Sequence, residues 1–284
     1  LFLLAPAKIN LILRVIGKRS DGYHELATWM QKIELYDELA VKIEDNPGIL
    51  LECIDSDLPE DDSNLVWQAA ELFFNKSLNA RGKGATIKLS KKIPVSAGLG
   101  GGSSDAGTLL KGLNTHFDSE FSSQELIEMG KSLGADVPFF VTDMESVFAT
   151  GIGEKMEPLP ALRGYTIVLV NPGINVSTSA IFAKYALTIA DKNSTLTGSR
   201  KLCTKNLSPA DFENDLEAVT IDQFPVIADI KKELRNLGAE NVLMSGSGPT
   251  VFGVFRSSTV QHKHDLIYVI NKLRKEFGEK VYIA

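Results

Sequence analysis

The run Pro94-Val95-Ser96-Ala97-Gly98-Leu99-Gly100-Gly101-Gly102-Ser103-Ser104-Asp105 places four glycines in five positions, then two serines and a carboxylate. Glycine lets a ligand approach the backbone closely, and the free N–H groups at a helix start attract anions. Ala106, Leu109, Leu110 and Leu113 recur at helical spacing, so the run leads into a helix and can hold phosphates, with a nucleoside triphosphate as the natural guest. No Gly-Lys-Ser/Thr closes it, which excludes a Walker A loop, and Ser103 occupies the third glycine position of Gly-x-Gly-x-x-Gly. A flexible turn capping a core helix is the plainer alternative, but turns rarely need so many glycines in succession.

Other residues could supply charge. Asp136 is a lone carboxylate among Ala135, Val137, Pro138, Phe139 and Phe140. Buried unpaired it would be costly, so it either serves chemistry, held by a hydrogen bond or a cation, or caps its own loop backbone. Lys8 and Asn10 share one face of an alternating strand. They are either its solvent face or a cation and an amide placed for a reaction; Lys8 could pair with Asp136 or offset charge on a transferring phosphoryl group. Tyr23 and His24 follow a Ser20-Asp21-Gly22 turn and could stack on a planar ring, or be ordinary surface residues. Met244-Ser245-Gly246-Ser247-Gly248-Pro249-Thr250 is a second glycine-rich turn, which could close the other side of a phosphate site. His262 and His264 diverge on a helix, no Cys-rich cluster exists, and no Gly-x-Ser-x-Gly elbow occurs. No metal ligand set and no hydrolase triad are expected.

These residues need a mixed α and β frame. Strands are predicted over Ile9–Val15, Thr28–Glu34, Leu39–Glu44 and Ala85–Leu89. Helices are predicted over Leu65–Asn75, capped by Ser63 or Asn64, and over Ser123–Leu133, opened by a Ser122/Glu125 capping box and stopped at Gly134. The pattern loosens between residues 152 and 164, where Gly and Pro cluster, and a boundary is expected there, dividing 1–155 from 156–284. Beyond it come strand Tyr165–Val170, helices Ser179–Leu187 and Pro225–Leu237, strands Val242–Ser245 and Thr250–Phe255, helix His262–Phe277 and strand Val281–Ile283. That β-α-β-β-α-β order, with extra helical material in its first crossover, predicts a ferredoxin-like α+β domain. Lys192–Lys205 is polar and aperiodic, and reads as a surface loop.

The 284 residues suffice for two domains, and 44% hydrophobic with 23% charged residues is a globular composition. A net charge of −6 argues against a nucleic-acid or anionic-membrane partner. Cys53 and Cys203 form no Cys-x-x-Cys pattern, and the short apolar start Leu1–Leu4 lacks the basic region and length of a signal core. The expectation is a cytoplasmic protein, a monomer or weak homodimer.

Together, Ala5–Asn10, Pro94–Asp105 and Met244–Thr250 resemble the three motifs of the GHMP kinases, in their order and across nearly the whole chain. Gly17–His24, Gly134–Phe140, Phe148–Glu154 and Val176–Thr178 resemble one branch, which phosphorylates a hydroxyl of a cytidine-containing methylerythritol substrate. The resemblance implies an N-terminal domain like the second domain of ribosomal protein S5, a C-terminal ferredoxin-like domain, and Mg-ATP as donor. It also implies roles: Asp136 as base, Lys8 as its partner, Asn10 as a substrate contact, and Tyr23 and His24 as the cytosine-binding pair. Phe182 would be the aromatic on the other face of the ring. Pro94, Ala97, Gly98, Leu99, Gly100, Gly101, Gly102, Ser103 and Ser104 would hold the ATP phosphates, with Asn64 and Lys91 as further nucleotide contacts. Ser96 stands where the family often has glycine, and Gly107 where it has alanine, a change expected to soften the helix by roughly 1 kcal/mol.

Overall fold

A computed structural model describes residues 1–19, 24–191, 208–258 and 263–284. The elements run β1 (Phe2–Lys18), β2 (His24–Glu44), β3 (Ile49–Ile54), α1 (Leu65–Lys76), β4 (Gly84–Ser90), α2 (Gly101–His116), α3 (Ser123–Leu133), α4 (Val137–Val141), β5 (Ser146–Gly151) and β6 (Lys155–Pro158). They continue with β7 (Tyr165–Val170), α5 (Thr178–Asp191), β8 (Glu213–Asn214), α6 (Glu217–Gln223), α7 (Val226–Asn236), β9 (Asn241–Met244), β10 (Val251–Arg256), α8 (Lys263–Phe277) and β11 (Val281–Ile283).

The chain folds as two compact units with interleaved sequence. The first takes Leu1–Ala7, Leu35–Val95 and Gly100–Met144; the second takes Lys8–Glu34, Ser96–Leu99 and Glu145–Ala284. In the first unit, β2 pairs antiparallel with β4 from Glu38↔Ser90 to Glu44↔Gly84, and β3 runs parallel to β4. Helices α1, α2 and α3 pack over this sheet around Phe73, Leu89, Leu110, Leu113 and Val137. Local chemistry fixes the helix starts. Asn64 caps α1 by accepting from the Val66 N–H, while Ser122 and Glu125 close the capping box of α3.

In the second unit, β11-β7-β10-β9 form an antiparallel sheet in the ferredoxin-like order. Its core gathers Val168, Val170, Ile230, Leu234, Val251 and Leu273, joined by Leu13 and Val15 from β1. Within the same unit the start of β2 pairs with β5, and β8 lies parallel to β1 at Ile12↔Glu213 and Leu13↔Asn214.

Two expected strands, Thr28–Glu34 and Leu39–Glu44, are one strand, β2. The reason is Asp37, which reads as a turn residue but is fully buried, accepting from the backbone N–H groups of Lys92 and Ile93 and from Lys91. The segment after Asp136, which carries no predicted element, is the short helix α4. Strands β3, β5, β6 and β8 and helix α6 have no counterpart among the sequence expectations. The polar tract Lys192–Lys205 lies outside the described residues.

Candidate active site

Helix α2 begins at Gly101 without a side-chain cap: Gly100, at φ +71°, occupies the N-cap, and no acidic residue lies in the first turn. A left-handed N-cap suits glycine, and its missing side chain leaves the first N–H groups to a ligand. Gly102 is exposed, with Gly101 and Ser103 half-buried. Ala97 and Leu99 are buried, so they offer a ligand backbone only, and Pro94 is half-buried at the loop's entry. Ser104 is buried and donates its hydroxyl to the Pro6 carbonyl at 2.6 Å, tying the helix to the start of β1. Ser96 has φ +53°, the left-handed region in which glycine is unstrained and a serine is less at ease.

Beneath this turn lies a buried charge cluster. Lys91 Nζ donates to Asp105 Oδ2 at 2.7 Å and to Asp37, and it sits 3.2 Å from where a Cβ on Gly101 would be. Burial works against the Lys91 charge, but Asp105 and Asp37 outweigh it and raise the ammonium's pKa. Burial pushes the Asp105 carboxyl up to about 7, and its Oδ1 has no hydrogen-bond partner among the described residues. Asn64 spends its side chain on the α1 cap and on the Pro59 carbonyl. It stays near the phosphate loop, because a Cβ on Gly102 would meet Leu65 at 3.7 Å.

In the second unit, the Lys8 N–H donates to the Leu99 carbonyl at 2.9 Å, holding β1 against the glycine loop. Lys8 Nζ donates to Asn10 Oδ1 at 2.7 Å, and Asn10 Nδ2 donates to Thr28 Oγ1 at 2.9 Å. The second glycine turn closes on the same loop: Ser245 Oγ donates to the Gly98 carbonyl at 2.9 Å and accepts from the Asn10 N–H at 3.3 Å. A Cβ on Gly98, at φ +76°, would stand 2.1 Å from the Ser245 carbonyl oxygen, so no other residue fits there unmoved. Asn214 fixes the turn from behind, donating to the carbonyls of Met244 and Gly246.

Asp136 directly precedes α4, and its side chain makes no cap hydrogen bond to that helix. Gly107 explains where α4 sits. A Cβ there would meet Phe140 Cβ at 2.8 Å and the Val137 carbonyl oxygen at 2.9 Å, so α2 and α4 touch through a missing side chain. The expectation that Gly107 merely softens α2 is therefore corrected.

His24 stacks on Phe182 with ring centroids 5.0 Å apart and 29° between planes. Burial, then the Lys18 charge, lowers the His24 pKa, and its Nε2 is buried without a partner among the described residues. A neutral imidazole carries one donor and one acceptor nitrogen. Phe182 contacts His24 itself; Tyr23 lies outside the described residues.

The first unit holds Asn64, Lys91, Pro94, Gly100–Ser104 and Asp136; the second holds Lys8, Asn10, His24, Ala97–Leu99 and Phe182. Sequence reasoning missed Asp37, Thr28 and Asn214. Thr28 looks like an ordinary strand residue and Asp37 like a turn residue until their partners 18 and 54 residues away are known.

The family models described as GHMP kinases N terminal domain and GHMP kinases C terminal match residues 64–143 and 198–279. A protein of Desulfotalea psychrophila, named 4-diphosphocytidyl-2-C-methyl-D-erythritol kinase, is 46% identical over 99% of this chain and 94% of its own. This chain belongs to the GHMP kinases. A GHMP kinase of Pelobacter propionicus with the same name is 44% identical over 90% of each chain. A crystal structure of 4-(cytidine 5'-diphospho)-2C-methyl-D-erythritol kinase superposes with a TM-score of 0.76 at 30% identity, covering 100% of this chain and 98% of that one. Leishmania major mevalonate kinase, at 15% identity and a TM-score of 0.71, shares the GHMP kinase fold. As a GHMP kinase the chain is a phosphotransferase, and the bare start of α2 is the element suited to phosphate.

Proposed function

We propose that this chain transfers the γ-phosphoryl group of ATP to the C2 hydroxyl of 4-diphosphocytidyl-2-C-methyl-D-erythritol, giving the 2-phosphate and ADP for isoprenoid precursor synthesis. The observation that carries the donor half is the uncapped N-terminus of α2, free of acidic residues in its first turn. Aligned peptide dipoles and unpaired N–H groups make such a turn an anion site. Magnesium would enter with the nucleotide, since it keeps waters and substrate phosphates as ligands and needs no all-protein cage.

Asp136 would orient the C2 hydroxyl and accept its proton as the oxygen attacks, a contribution typically worth ~10²–10⁴-fold. Lys8 would offset the charge that gathers on the transferring group, with Asn10 holding its ammonium. The acceptor reading draws on a neutral His24 whose Nε2 has no partner among the described residues; it could serve a pyrimidine edge while Phe182 backs the imidazole. Neither homoserine nor mevalonate carries such a ring. Phosphoryl transfer from [γ-³²P]ATP, measured side by side with diphosphocytidyl-methylerythritol, homoserine and mevalonate, tests this. Transfer to the cytidylyl substrate alone is expected; preference for either of the others would reject the reading.

A further inference from the structure

We propose that Thr28 is a positioning residue for Lys8, acting through the amide of Asn10; this rests on the reading that Lys8 serves phosphoryl transfer. The argument is one of donors and acceptors. The Ile12 carbonyl can only accept, and Thr28 Oγ1 lies 2.7 Å from it, so the single hydroxyl hydrogen of Thr28 is committed there. What Thr28 presents on its other side is a lone pair. The Asn10 side chain, 2.9 Å away, must therefore turn its NH₂ toward Thr28. That choice sends Oδ1 toward Lys8 Nζ, where it accepts at 2.7 Å.

Asn10 is otherwise an ambiguous side chain, because a half-turn about its last torsion exchanges oxygen and nitrogen at almost no steric cost. Turned the other way, it would aim an N–H group at an ammonium. Water cannot arbitrate, since Thr28, Asn10 and Lys8 are only 2%, 3% and 5% exposed. The Asn10 backbone is held separately, by its N–H to Ser245 Oγ, so Thr28 governs the side-chain orientation alone. Three hydrogen bonds in series thus carry a direction from the Ile12 carbonyl to the Lys8 ammonium.

Steady-state kinetics on the full chain, with ATP and diphosphocytidyl-methylerythritol, test this. Thr28→Val keeps the side-chain volume and loses both hydrogen bonds, so the charge-assisted Lys8–Asn10 bond loses its orientation; kcat should fall roughly ten- to a hundred-fold, the usual cost of such a bond, with little change in KM for ATP. Thr28→Ser retains donor and acceptor and should restore kcat. Thr28→Ala, which cannot crowd the site, should behave as valine does and serves if valine fails to fold. A purely structural role would not reproduce the deciding result: in an Asn10→Ala background, Thr28→Val should cost nothing further in kcat. Equal losses in both backgrounds, or normal kcat in Thr28→Val, would overturn the assignment of Thr28. Normal turnover in both Lys8→Ala and Asn10→Ala would instead bring down the site reading, and the role of Thr28 with it.

Discussion

Two aspartates and one lysine share the buried floor under the glycine-rich turn that opens α2, and their formal charges do not balance. Lys91 can neutralise one of Asp37 and Asp105, and burial raises the Asp105 carboxyl from its ordinary 3.8 to about 7. In the window between those values the folded chain holds a proton that the unfolded chain releases. Stability from this group is therefore full below the lower value and is lost as pH rises toward the upper one. Asp105→Asn has no charge to bury, so its melting temperature should gain on that of the parent as pH rises from about 5 to about 8. A difference that stays flat across that range would reject the account. Asp136→Asn belongs to the same scale: kcat should drop by ~10²–10⁴ while ATP binding, measured by calorimetry, holds. Near-normal turnover would remove Asp136 from its role. Asp136 and Lys8 were conspicuous in the sequence as charged residues in apolar or alternating surroundings. Thr28 and Asp37 were not, because what distinguishes them is a hydrogen-bond partner far along the chain.

Among the elements, those with local signals were the legible ones. Asn64 before α1 and the Ser122/Glu125 box before α3 mark helix starts by chemistry that acts over three residues. Strand β2 hid its continuity, since Asp37 breaks an apolar pattern whose compensation lies in residues 91–93. Gly107 shows the same limit from the other side. Helix propensity alone says that Gly107→Ala should stabilise α2 by about 1 kcal/mol. The contacts say otherwise: a methyl group would press on the Val137 carbonyl and Phe140 Cβ, and α4 would have to move. Overpacking of this kind typically costs about 1–3 kcal/mol, so thermal or urea denaturation should show Gly107→Ala less stable than its parent. Because α4 follows Asp136 directly, kcat should fall as well. A gain in stability would mean that α4 yields without cost and that propensity decides the position.

At the scale of the whole chain, the backbone passes back and forth between the two compact units, and this is what a left-to-right reading of composition could not reveal. Gly and Pro cluster between residues 152 and 164, yet the second unit also takes Lys8–Glu34 and Ser96–Leu99. A sequence scan finds a boundary where local pattern loosens; it has no access to a strand supplied from 150 residues upstream. The ferredoxin-like order was legible because β7, β9, β10 and β11 follow in sequence with helices between β7 and β9 and between β10 and β11. The consequence can be tested with residues 156–284 expressed alone. That fragment keeps the sheet β11-β7-β10-β9 but loses Leu13 and Val15 from its hydrophobic core, and β8 loses β1 as its parallel partner. It also loses the Val15 N–H that donates to Asp215 at 2.8 Å and the Leu13 carbonyl that accepts from the Asp215 N–H at 2.9 Å. Apolar surface left open beside intact secondary structure is the condition for a molten state. The fragment should bind anilinonaphthalene sulfonate and melt without a cooperative transition, whereas the full chain should melt cooperatively. A sharp transition in the fragment alone would show instead that β1 adds to a core already sufficient to fold.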